Sequence, residues 1–116
     1  MTKPFPTIFV SHGAPTLLID PGPTHDFLKE LGRIIGKPKA IVCVSAHWTT
    51  REPKVNSGSR LETIYDFYGF PEELYEITYP APGEPALANR VSMLLREAGI
   101  EVSADAHRGI DHGAWV

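Results

Sequence analysis

The chain has 116 residues, with 11 Lys plus Arg against 14 Asp plus Glu, a net charge of −3, five His, one Cys and 42% hydrophobic residues. That length fits one domain or a part of one. The interspersed charge offers no basic stripe for nucleic acid. A lone Cys excludes an internal disulfide, so a reducing, cytoplasmic compartment is expected.

No apolar run approaches the roughly 18 residues that a membrane helix needs. The start, broken by Pro4 and Pro6, lacks a cleavable signal pattern. Ordinary apolar and charged fractions predict a folded chain that buries about two-thirds of its unfolded surface. Ten Gly and eleven Pro keep the elements short.

Thr7 to Val10 reads as a short strand that ends at Ser11-His12-Gly13, followed by a loop dense in Pro and Gly up to Pro23. A helix is predicted after Thr24, with the Thr24 hydroxyl as its cap and Asp26 at its positive end. Phe27, Leu28, Leu31, Ile34 and Ile35 lie on one helical face, and Gly36 and Pro38 stop it. Ala40 to Ala46 is the strongest strand, apolar on both alternating faces as in a strand covered on both sides. Strand, helix and strand here predict a βαβ unit with a right-handed parallel crossover.

Pro53 to Ser57 reads as a further short strand. Residues 58–83 are rich in turns and hold Tyr65, Phe67, Tyr68, Phe70, Tyr75 and Tyr79. A second helix opens at Pro85, with Leu87, Val91, Leu94, Leu95 and Ala98 as its buried stripe, and ends at Gly99. Ile100, Val102 and Ala104 alternate with polar residues as a half-buried strand. The fold class expected is therefore α/β: a βαβ-type, largely parallel or mixed sheet with flanking helices. The whole, 1–116, reads as one unit without a dividing linker.

The chemistry lies in where the histidines fall. His12 follows the first strand and His47 the second, and parallel strands joined by one crossover present their carboxyl ends on one edge, where open α/β sheets bind ligands. Neutral imidazoles are good ligands for Zn, Fe and Ni, and Gly13 lets backbone and ligand approach closely. The bland alternative is a polar cap on each strand end. His112, in Gly109-Ile110-Asp111-His112-Gly113, follows the last strand and reaches the same edge as a ligand or a general acid–base. Its bland alternative is one structural hydrogen bond.

Asp111 either orients His112 or starts a turn. His25 is expected to face solvent. Trp48, next to His47, is a candidate pocket wall, whereas the aromatics of 65–79 either wall a pocket or pack on the sheet. Cys43 reads as an inert core residue. The absence of G-x-G-x-x-G, a Walker loop and G-x-S-x-G removes dinucleotide, nucleoside-triphosphate and nucleophile-elbow readings.

Four motifs occur in order: Val10-Ser11-His12-Gly13-Ala14-Pro15, Val44-Ser45-Ala46-His47-Trp48, Tyr65-Asp66-Phe67-Tyr68-Gly69-Phe70-Pro71 and Gly109-Ile110-Asp111-His112-Gly113-Ala114-Trp115. Together they resemble the class III extradiol ring-cleavage dioxygenases, the LigB-type superfamily, in its DOPA 4,5-dioxygenase-like branch. The resemblance implies a non-haem Fe(II) enzyme that opens a catechol ring beside the diol with O₂, Zn sometimes taking the site. It implies His12 and His47 as metal ligands, and His112 as a group that hydrogen-bonds substrate or moves protons.

In that family a further ligand and a further catalytic His come from a later part of the chain. Residues 1–116 are accordingly expected to be the N-terminal part of a single α/β catalytic domain, a truncated one. Partners are then a small catechol and O₂, with no nucleic acid or membrane; the oligomeric state is left open. Two other classes use the same residues: a Zn-dependent hydrolase or amidase in which the metal activates water, and a non-catalytic domain with an incomplete metal site.

Overall fold

The computed structural model describes residues 3–116; Met1 and Thr2, the first two residues of the expected unit 1–116, lie outside the described residues. A 3₁₀ turn over Pro15–Leu18 leads into α1 (Pro23–Ile35). Then come β1 (Lys54–Asn56), a second 3₁₀ turn (Glu72–Glu76), α2 (Pro85–Glu97), β2 (Ser103–Asp105) and the four-residue α3 (His112–Trp115). The protein is mixed α/β, with a small parallel sheet and flanking helices.

The parallel crossover forms one unit later than the strongest strand signal. Strand β1 pairs with β2 in parallel, Lys54 opposite Ser103, Val55 opposite Ala104 and Asn56 opposite Asp105, and α2 connects them. The ladder is prolonged by Ser103 N–H to Pro53 O at 3.1 Å and Ser57 N–H to Asp105 O at 2.9 Å. Beyond it, a parallel bridge of Thr63 with Ile110 carries two 2.8 Å backbone bonds and sets residues 110–112 beside residues 64–66.

Residues 7–10 and 40–46, predicted as strands, make no ladder among the described residues. They run outside regular structure, with Phe9 98% and Val44 94% exposed. A strand exists only through backbone pairing, and apolar side chains alone cannot supply a partner. The predicted βαβ unit over 7–46 is thus present as segment, helix and segment without its sheet. Cys43 shares this exposure and is not a core residue. Burial and then the Asp111 charge nevertheless push its thiol pKa up.

Helix α1 starts one residue before Thr24, at Pro23, because proline's fixed φ suits the first helical position. Thr24 therefore sits inside the first turn, and no side chain caps the helix. Leu28, Leu31 and Ile35 are half-buried, while Phe27 and Ile34 remain exposed. In α2, Ala88 and Ser92 are the buried residues, flanked by half-buried Leu87, Val91 and Leu95. Leu94 and Ala98, expected in that stripe, face outward. In β2 the half-buried residues are Ser103 and Asp105, so Ala104 points the other way from its predicted face.

The apolar core is small: Leu74, Ala88 and Trp115 are its buried members. Consistently, the radius of gyration of 15.5 Å exceeds the about 13 Å of a compact chain of this length. The expectation of two-thirds burial is not met, because much of α1 and its flanking segments stays exposed. An aromatic cluster continues the core. Tyr65, Phe67 and Trp115 meet edge to face or tilted at 5.8 to 6.4 Å between centroids, and the Trp115 indole N–H donates to Ile64 O at 3.0 Å. Packing, the second of the two expected fates, is what these rings do.

Two predictions follow from this packing. Leu74→Ala, which empties a fully buried site, should lower the unfolding free energy by about 2–5 kcal/mol. Leu94→Ala on the outward face of α2 should stay within about 0.5 kcal/mol, and urea unfolding of both variants measures the contrast. The second concerns the turn after β2, where the Asp105 carboxylate accepts the N–H groups of His107 and Arg108, both at 2.9 Å. These two bonds hold its carboxyl below the usual 3.8. Its contribution is complete above the unfolded carboxylate value and is lost as pH falls through the lower folded one. The amide NMR shifts of His107 and Arg108 should therefore titrate with a midpoint below 3.8.

Candidate metal centre

Three turns bring three imidazoles to one point. His12 ends the extended segment 7–11, and Gly13 behind it has φ +65°, which a residue with a side chain adopts only with strain. A Cβ at Gly13 would meet nothing within 4 Å, so among the described residues it is the positive φ that calls for glycine here. His47 sits in the turn closed by Trp48 N–H to Ser45 O. His112 opens α3, where the Asp111 side chain caps the helix by accepting the Gly113 N–H at 2.9 Å.

The ring centroids lie 5.2 Å (His12 to His47), 4.9 Å (His12 to His112) and 4.0 Å (His47 to His112) apart. One nitrogen from each ring falls within 4.8 Å of the others. The two Nε2 atoms of His12 and His47 approach to 3.0 Å. Two imidazole nitrogens bound at right angles to one transition-metal ion would stand about 3 Å apart, so this donor pair fits such an ion.

A carboxylate fixes the third ring. Asp66 Oδ1 accepts the His112 backbone N–H at 2.9 Å and its ring Nδ1–H at 2.7 Å. With Nδ1 so engaged, Nε2 is the nitrogen left to act toward the cluster, the arrangement by which carboxylates orient metal-site histidines. Burial alone would raise the Asp66 carboxyl, but the hydrogen bonds from His112 outweigh it and hold the group below its ordinary value. At His12, burial first and then the neighbouring His112 and His47 charges lower the imidazole pKa. That favours the neutral form, the one with a lone pair for a metal. His12 Nδ1 is also buried without a hydrogen-bond partner among the described residues.

Around the three rings, Phe67 meets His112 edge-on at 5.5 Å. Arg108 lies 5.3 Å over the Trp48 ring and reaches Asp111 Oδ2 at 3.3 Å. Trp48 is thus next to the site and packed under a guanidinium. An open cleft of about 500 Å³ reaches the site at His12, which lines it with Gly13, Thr16, Asp20, Thr24 and His25 among others. His25, expected to face solvent, is half-buried and donates to Leu17 O at 2.8 Å.

Asp111 starts the turn and bonds Ser45; the group that touches the His112 ring is Asp66. In the sequence Asp66 stands out only as part of the Tyr65 to Pro71 motif. Its one distinguishing signal was a single carboxylate inside an aromatic run.

Fold and site together define a mixed α/β protein with a candidate three-imidazole metal centre. Residues 6–116 match the family described as the catalytic LigB subunit of aromatic ring-opening dioxygenase, and the chain belongs to that family. It is 50% identical over 114 residues to a 4,5-DOPA dioxygenase extradiol of Beta vulgaris, covering 95% of this chain and 42% of that protein. It is 42% identical over 115 residues to the protein of the same name from Mirabilis jalapa, covering 94% and 42%. A third, from Escherichia coli (strain K12), is 42% identical over 110 residues, covering 95% and 40%. The chain spans about two-fifths of the length of these relatives. Among the described residues no helix is long and apolar enough to cross a membrane.

The closeness of the site rests on Gly113, where a Cβ would stand 2.4 Å from Ser45 Oγ and 2.7 Å from His47 Cδ2. Gly113→Ala should cost about 1–3 kcal/mol through overpacking. Gly32→Ala, in α1 with nothing within 4 Å, should instead gain about 0.5–1 kcal/mol. Urea denaturation of the two variants reads both signs.

Proposed function

We propose that the protein is a non-haem extradiol dioxygenase that opens the ring of a DOPA-like catechol with O₂, acting in the cytoplasm, with Fe(II) as its metal. Residues 1–116 contribute the histidine-bearing part of a single α/β catalytic domain. The observation that carries the reading is the convergence of His12, His47 and His112 from three distant parts of the chain. Membership of a ring-opening dioxygenase family and the names of the relatives support it.

In this reading His12 and His47 hold the metal, and the 3.0 Å approach of their two Nε2 atoms fits that role. Fe(II), when bound, would supply adjacent open positions for both catechol oxygens and for O₂, and pass electron density from ring to oxygen. His112 hydrogen-bonds the substrate or moves its proton at Nε2. Asp66 keeps the proton on Nδ1 and steadies the ring when it becomes charged. Trp48 forms one wall of the pocket. Three imidazoles also suit Zn, so the donor set supports a metal centre more broadly than it supports iron.

The test loads the protein, expressed from its uninterrupted reading frame, with Fe(II) without oxygen, and then follows O₂ uptake with a panel of catechols including DOPA. Uptake with a yellow semialdehyde product is expected, and His47→Ala should lower metal retention at least about tenfold. Failure of every catechol to consume O₂ would sink the proposal. Turnover with Zn and no need for O₂ would assign a hydrolase instead.

A further inference from the structure

We propose that Ser45 and Asp111 are positioning residues that set the spacing of the His47 and His112 rings; their bearing on a metal rests on the function proposed above. Ser45 Oγ donates to Asp111 Oδ1 at 2.6 Å and accepts the backbone N–H of His47 at 3.1 Å. Asp111 is 3% exposed, and the same Oδ1 accepts the Gly113 N–H that begins α3. One serine hydroxyl and one carboxylate oxygen therefore connect the turn bearing His47 to the helix bearing His112 by a chain of three hydrogen bonds. Gly113 leaves the space for this contact, since any side chain there would strike both Ser45 and His47.

Neither Ser45 nor Asp111 belongs to the set of nitrogens that could hold an ion. Both act through the groups they hold. The result is a 4.0 Å separation of two rings that lie on parts of the chain joined by no backbone hydrogen bond among the described residues. Two imidazoles at that distance repel when charged and have no mutual bond to keep them in place. Their spacing has to be imposed from outside, and this tie is the contact in position to impose it.

Two readouts test the idea on the whole protein. The first needs no metal: NMR cross-peaks between the His47 and His112 ring protons. They are expected in the parent, lost in Ser45→Ala and Asp111→Ala, and kept in Asp111→Asn, whose amide oxygen can still accept from Ser45 and Gly113. The second is Co(II) affinity followed by visible absorption, expected to weaken about 10- to 100-fold in Ser45→Ala and to stay near the parent value in Asp111→Asn.

Ser45→Ala removes a single oxygen, so it decides the question even if Asp111→Ala does not fold. Cross-peaks that persist in Ser45→Ala, or that vanish in Asp111→Asn as fully as in Asp111→Ala, would overturn the proposal. If His47→Ala binds Co(II) as well as the parent, the metal reading fails while the cross-peaks still judge the tie.

Discussion

A carboxylate removed from water must find its full complement of donors or force a change elsewhere. Asp111 is such a group, and the rest of the site is arranged around its needs. Ser45 and Gly113 satisfy one oxygen, and the Arg108 guanidinium reaches the other. Each donor comes with a segment attached: the turn before His47, the first turn of α3 and the loop leaving β2. Ion pairs of this partly buried kind add little to stability by themselves, since desolvation offsets the attraction. What this one supplies is register between two distant parts of the chain, the turn at Ser45 and the stretch from Arg108 to Gly113, that no common ladder joins.

The charges near the histidines are unevenly placed. Both carboxylates that influence the cluster, Asp66 and Asp111, approach from the side of His112. His12 lies farther from that compensation, and burial together with the two neighbouring imidazoles keeps its proton affinity low. At His12 the neutral form is thereby favoured, and its lone pair remains available.

Helices α1 and α2 were legible because their signals are local, whereas the four residues of α3, in a stretch that reads as loop, are too few to show a period. Pro85 and Gly99 bracket α2, and the apolar spacing within α1 and α2 needs nothing outside the helix. Strands depend on a neighbour. Thr7 to Val10 and Ala40 to Ala46 carry the right residues and no ladder, whereas Lys54 to Asn56, with a single apolar residue, pairs because α2 returns the chain alongside it. The sequence groups His12, His47 and His112 through a shared sheet edge; the three rings do converge, but residues 7–10 and 40–46 make no ladder, so turns and side-chain contacts bring them together in place of that edge. Asp66 could not be grouped with them, because its tie to His112 depends on the Thr63–Ile110 bridge, a contact with no trace in local spacing.

The three histidines also differ in the contacts that hold their rings. His112 is held by Asp66 through both its backbone and its ring, is buried, and sits between two paired segments and the aromatic cluster. His12 and His47 are carried by segments without ladders, and each ring nitrogen that has a partner finds it in the other histidine. On the function proposed here, this is a sensible division. A group that hydrogen-bonds substrate or transfers a proton needs a fixed tautomer and direction. Metal-holding imidazoles gain their order from the ion they share. His112 would thus define where substrate is met, and the Nε2 atoms of His12 and His47, 3.0 Å apart, would hold the ion.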